Sequence, residues 1–203
     1  MRLTLTLERH TLQGVSMGRS QSLQPTLWRT CRVLANRRRL QILRLLLQQP
    51  DQCVSHLAER VAVPAQVVSQ YLRAMNARGL LRVRRVGKWV YYRPGADESV
   101  RQSHALLEGL RLSFRRERQA EENIFRLATA FTHPKRVEIF RALQGRMLTA
   151  GQLSETTGIS GRAVHRHLRK LRVRGFVEAE AGIWRGIQPP AGLAKVLAQL
   201  AGE

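Results

Sequence analysis

The chain contains the same unit twice, and this repeat constrains its fold more than any other feature of the sequence. Arg39-Leu40-Gln41-Ile42-Leu43-Arg44-Leu45-Leu46 runs in register with Arg136-Val137-Glu138-Ile139-Phe140-Arg141-Ala142-Leu143, sharing Arg, Ile, Arg and Leu. Leu57-Ala58-Glu59 then matches Leu153-Ser154-Glu155, and Val68, Leu72, Arg73, Arg78 and Gly79 match Val164, Leu168, Arg169, Arg174 and Gly175. Gly87, Trp89 and Pro94 match Gly182, Trp184 and Pro189. The offset drifts from 97 to 96 to 95, so two single-residue gaps in loops absorb it. Two helical stretches share Leu and Arg by chance; Gly-x-Trp and Pro in the same order is a stronger coincidence. A chain of 203 residues holds one large domain or two small ones, and the repeat selects two.

Each copy reads as three helices followed by a β-hairpin. In the first, Leu40, Leu43, Leu46 and Leu47 fall at helical spacing across 37–48, with Asn36 as cap. Pro50-Asp51 marks a turn, 54–61 a short helix, and Pro64 opens a helix to about Ala77 that Gly79 ends. The alternation over 80–86, the Gly87-Lys88 turn and Trp89-Val90-Tyr91-Tyr92 make the hairpin. The second copy predicts helices over 134–144, 150–157 and 160–174, a shorter hairpin around Ala181-Gly182 and a closing helix over 193–200. Between the copies, 98–132 has helical periodicity and no proline, which predicts two helices or one long bent helix. Its mixed-charge run 115–122 is expected as a solvated face. The expected class is mainly α with small β-hairpin wings. Two tandem winged helix-turn-helix domains, at 25–97 and 117–203, are joined by a helical linker at 98–116. The tail 1–24 is expected as a short strand, on the alternation Leu3-Thr4-Leu5-Thr6-Leu7, or as disorder.

Charge narrows the partner. Thirty-five Lys+Arg stand against 14 Asp+Glu, a formal net charge of +21, and a field of that size draws in polyanions. Nucleic acid is the first candidate, an anionic membrane surface the second. No apolar run approaches the ~20 residues of a membrane span, and the N-terminal stretch lacks the apolar core of a signal peptide. Cys31 and Cys53 make no disulfide framework. The expectation is a cytoplasmic, nucleoid-associated protein that engages no membrane.

The second helix of each helix-turn-helix is the element shaped for the major groove. Removing its inward residues leaves Gln66, Ser69, Gln70 and Arg73 outward in the first copy, and Arg162, His165, Arg166 and Arg169 with Lys170 in the second. Gln pairs bidentately with adenine and Arg with guanine. The first wing carries Arg82, Arg84, Arg85 and Lys88, suited to phosphate or the minor groove. The second carries Glu178 and Glu180, which repel phosphate, with only Arg185 nearby. Trp89 and Trp184 hold one strand position in the alignment, so both are expected to pack their wing onto its core rather than to stack on bases.

The segments Leu34-Ala35-Asn36-Arg37-Arg38-Arg39-Leu40-Gln41-Ile42-Leu43, Val68-Ser69-Gln70-Tyr71-Leu72-Arg73, Arg78-Gly79-Leu80-Leu81 and Gly87-Lys88-Trp89-Val90-Tyr91-Tyr92 resemble the ArsR family of winged-helix repressors. The resemblance covers about 34–94 and is weaker in the second copy. It implies operator binding by a two-fold pair of winged helices, often released by a metal or other signal. Arsenic-sensing members carry Cys-Val-Cys where this chain has Cys53-Val54-Ser55, so one thiol is missing and Cys53 is expected as a half-buried structural thiol. His165 and His167, two apart on a helix, point to different sides and make no metal pair. No cofactor is expected.

The resemblance implies a transcriptional regulator of double-stranded DNA, a repressor. Family members carry one such domain and dimerise, so this chain either imitates a dimer internally or forms a homodimer of four modules. An architectural or protein-interaction role and RNA binding are the other classes. No phosphate loop, metal-ligand spacing or nucleophile motif suggests an enzyme.

Overall fold

A computed structural model describes residues 26–203; the tail at 1–24 lies outside them. The first half runs α1 (Leu27–Leu34), α2 (Arg37–Gln48), β1 (Gln52–Cys53), α3 (Val54–Val61), α4 (Ala65–Asn76), β2 (Leu81–Val86), β3 (Trp89–Pro94) and α5 (Ser103–Arg116). The second runs α6 (Ala120–Ala128), α7 (Pro134–Ala142), β4 (Met147–Thr149), α8 (Ala150–Thr157), α9 (Gly161–Val173), β5 (Val177–Glu180), β6 (Ile183–Gly186) and α10 (Gly192–Gly202). The order of elements is identical, so the repeat extends one helix beyond the expected triplet at each end. Both sheets are antiparallel and three-stranded, ordered β1-β3-β2 and β4-β6-β5. This is the tandem winged helix-turn-helix arrangement, mainly helical with small hairpins.

Asn36 caps α2 by accepting from the Arg39 amide, and His133 caps α7 by accepting from that of Lys135. Gly79 ends the α4 turn at φ 69°, and a Cβ there would meet Ser103 Cβ at 2.9 Å, so glycine serves both the backbone and the close approach of the following loop. The core repeats in position while changing in residue. Leu34, Leu43 and Leu80 are buried in the first half, and their counterparts Phe131, Phe140 and Phe176 in the second. The three rings meet edge-on, with centroids 4.7–6.1 Å apart.

Arg39 donates from Nη1 to the carbonyls of Arg32 and Val33. In the same register Arg136 donates from Nε to Ala130 O at 2.6 Å and from Nη2 to Thr129 O at 3.2 Å, and also to Thr132 Oγ1. Each guanidinium thus satisfies carbonyls at the end of the preceding helix, which have no intrahelical partner. The shared Arg of the repeat is a structural clasp.

The halves pack with α5 on α10 and with α6 against both α1 and α2. Gly109 of α5 sits against α10, where a Cβ would meet Leu193 Cδ1 at 3.2 Å. The run 115–122 is mostly exposed, as expected of a solvated face, and it also carries cross-half ion pairs. It spans the break between α5 and α6, and two of its acids pair with the first half: Glu122 bidentately with Arg37 (2.9 and 3.0 Å), and Glu121 with Arg44 (3.0 Å). Both acids stand in the first turn of α6, where the helix dipole favours them.

The repeat alignment needs one correction at the wings. β2 and β3 have six residues each, β5 and β6 four. Leu81 pairs with Pro94 as Val177 pairs with Gly186, and Val83 faces Tyr92 as Ala179 faces Trp184. Trp184 therefore corresponds to Tyr92, not to Trp89. Tyr92 is buried and Trp184 half-buried, whereas Trp89 stands at the far end of the longer wing, opposite Val86, and is 48% exposed. The expectation that Trp89 packs onto the core fails because the extra strand length carries it past the body of the domain.

Candidate nucleic-acid interface

α4 buries Val68, Leu72 and Met75, three or four residues apart, and this fixes which side faces out. Gln66, Gln70 and Arg73 are exposed and Ser69 is half-buried. α9 buries Val164, His167, Leu168 and Leu171 and exposes Arg162, His165, Arg166, Arg169 and Lys170. None of these outward side chains forms a hydrogen bond or ion pair among the described residues. Cations held that way remain available to an external anion. Arg172, not expected from the sequence, continues the stripe: it lies with His165, Arg166, Arg169 and Trp184 around one open depression between α9 and the second wing. Its spacing of three from Arg169 is the signal that could have found it.

The four basic residues of the first wing are not equivalent. Arg82 is half-buried, donates to Ala96 O at 2.9 Å and lies 3.7 Å from Asp97, so it closes the root of the wing. Arg84 lies over the Tyr91 ring at 5.2 Å and 3.6 Å from Asp51. Arg85 is exposed without a partner among the described residues, and Lys88 is 5.5 Å from the centre of the Trp89 ring. Val83, Val86 and Trp89 add exposed apolar surface. On the second wing Glu178 and Glu180 take the positions of Arg82 and Arg84, and Arg185 is bound to Glu178 at 2.6 Å. The outer faces of the two wings carry opposite charge.

His165 and His167 do point to different sides: His165 is exposed, His167 buried. His167 packs on the His133 ring at 4.9 Å, and neither of its nitrogens has a partner. Burial first, then His133, Arg136, Arg166 and Lys170, push the His167 pKa down to about 4. His133 is lowered as well, by burial and then by Arg136, Lys135, Arg166 and Lys170. Cys53 is half-buried, with its Sγ 3.2 Å from Ser55 Oγ; that contact and the His56 amide lower its pKa. Cys31 is fully buried and pushed up to about 12 by desolvation. Among the described residues no cluster of three or more metal-ligating side chains occurs, and no helix is long and apolar enough to cross a membrane.

Residues 36–83 match the family model described as bacterial regulatory protein, arsR family, and residues 131–180 match the model described as helix-turn-helix domain. Both matched spans take in α2 to α4 or their counterparts and reach into the first wing strand. No curated protein and no solved structure matches the chain. The chain carries an ArsR-type winged helix-turn-helix domain and, in tandem with it, a second winged helix-turn-helix domain, the make-up of a DNA-binding transcriptional regulator.

Proposed function

We propose that the chain is a repressor that reads an operator as a two-fold pair built into one polypeptide. α4 and α9 enter successive major grooves about one helical turn (~34 Å) apart. The observation that carries this reading is the pairing of counterparts: α5 against α10 and α1 against α6 follow the pattern of an isologous interface, and the packing of α2 on α6 is where the two halves depart from it. Segment 98–116 on this reading is no mere linker, because α5 supplies the first domain's share of that interface. The domain limits then lie near 25–116 and 117–203.

The two half-sites are read unequally. Gln66, Ser69, Gln70 and Arg73 face one, and Arg162, His165, Arg166, Arg169 and Lys170 the other. Arg85 and Lys88 hold the backbone beside the first half-site, with Arg84 exchanging Asp51 for phosphate; Arg82 orders the wing. The chain acts by binding rather than by catalysis.

The test is selection of bound fragments from genomic DNA, followed by affinity and mass measurements on the selected duplex. The expected complex holds one chain per asymmetric site, and transcription from it falls when the chain is added. Two chains per site would replace the internal pair with a homodimer. Equal affinity for random duplex would replace repression with an architectural role.

A further inference from the structure

Beside the interface helices, a cleft of about 320 Å³ opens between α2 and α5. Its floor is apolar, from half-buried Leu47, Leu112 and Phe114; three cations, Arg44, Arg111 and Arg115, stand over it against one carboxylate, Glu108, and Gln48 completes the lining. We infer that this cleft is an effector site for a small organic anion with an apolar body, an arylcarboxylate or a short fatty acid. The regulatory part of the inference rests on the repressor reading above.

Three observations support the ligand class. The volume sits at the lower end of the range for small-molecule sites, roughly 300–1,000 Å³. Guanidinium forks match a carboxylate bidentately, and an adjoining apolar floor selects a ligand with both parts. The cleft beside α7 and α10 differs: Gln144 stands where Leu47 does, Gln188, Gln199 and Glu203 line it together with Ala105 of α5, and no cation does. Arg44 has its counterpart in Arg141, so the difference between the two places rests on Arg111 and Arg115.

The cations are held in ways that link the cleft to the rest of the molecule. Arg44 reaches Glu121 of α6 at 3.0 Å, and Arg111 reaches Glu108 at 2.6 Å and the Pro94 carbonyl, at the end of β3, at 3.5 Å. Arg115 has no partner among the described residues. A bound carboxylate competes with Glu121 for Arg44, and with Glu108 and the Pro94 carbonyl for Arg111. Occupancy therefore loosens a tie between the halves and the root of the first wing, and duplex affinity falls.

The experiment titrates the full chain, without DNA, with 2-naphthoate, octanoate and the uncharged 2-naphthalenemethanol, using calorimetry. Saturable uptake of one carboxylate per chain is expected, with the alcohol about tenfold weaker or more, the equivalent of one charge-assisted contact. Arg111→Ala, Arg115→Ala and Leu112→Glu, each checked for folding by circular dichroism, should weaken the carboxylate by a similar factor. The duplex arm follows anisotropy of a labelled selected fragment, where carboxylate should release the wild type and spare Arg111→Ala. No saturable uptake of either carboxylate, or uptake that ignores all three substitutions, overturns the site; uptake without any change in duplex affinity overturns its regulatory role. Failure of the repressor reading has a different signature: the carboxylate titration saturates, yet no duplex binds with or without it.

Discussion

His133 packs on His167 with ring centroids 4.9 Å apart and ring planes tilted by 38°, and burial together with the surrounding cations disfavours a proton on either ring. His133 accepts from the Lys135 amide through Nδ1, and His167 is buried with both nitrogens unpartnered beneath Arg166 and Lys170. An unfolded His167 takes up a proton near pH 6.5, whereas the folded one resists until about 4. The unfolded state thus binds more protons between these values. Stability is full above pH 6.5 and falls as the pH drops towards 4, by up to about 3 kcal/mol. Urea midpoints measured from pH 7.5 to 4.5 check this. His167→Leu should flatten the profile, and an unchanged slope would dissociate the histidine pair from acid sensitivity.

Arg136 is a second buried polar residue whose removal should be costly. Three backbone or hydroxyl oxygens depend on it, and it is 5% exposed. Arg136→Met should destabilise the chain by about 2–4 kcal/mol, because the carbonyls of Thr129 and Ala130, just past α6, lose their guanidinium donors. Arg136→Lys should recover little, since a single ammonium cannot span the same oxygens. Chemical denaturation of the two variants checks the order. Near-wild-type stability of the lysine variant would reduce the clasp to a simple charge effect.

The two aromatic residues of the first wing should behave in opposite ways. Tyr92→Ala empties a buried position between the sheet and the helices and should cost about 3 kcal/mol or more. Trp89→Ala should change stability by less than about 0.5 kcal/mol, because nearly half of that side chain is already in water. Denaturation midpoints of the pair decide whether the strand pairing or the Gly-x-Trp alignment gives the true correspondence.

That correspondence marks where the sequence stops being readable. Helical segments were legible because apolar periodicity and caps report burial and termini directly: Leu40, Leu43 and Leu46 face the core, and Asn36 caps α2. The outward faces of α4 and α9 followed by subtraction. The hairpin register did not, because Gly-x-Trp matches are blind to strand length, and length decides whether an aromatic reaches the core. β1 has two residues and β4 three, too few for any alternation to show. α1 escaped notice beside the poorly patterned tail. Arg82, Glu121 and Glu122 found partners distant in sequence, and no local pattern reveals which charges will meet.

Charge inversion between the wings gives the sharpest test of the proposed interface. Arg84 and Glu180 occupy equivalent places, so each can be given the other's charge, with Arg84→Glu also losing the ion pair to Asp51. Arg84→Glu should lower duplex affinity and reduce the slope of log affinity against log salt by about one phosphate equivalent, roughly 0.9. Glu180→Arg should do the reverse, adding a contact beside the second half-site. Arg166→Ala should act differently. On the major-groove side it should cost about 1–3 kcal/mol and relax base preference at one position of the site. Anisotropy titrations of the selected duplex across a salt series, with single-base variants at fixed salt, separate the two behaviours. If both wing substitutions leave the salt slope unchanged while the variants remain folded, the wings do not lie on the phosphate backbone and the duplex must approach through α4 and α9 alone.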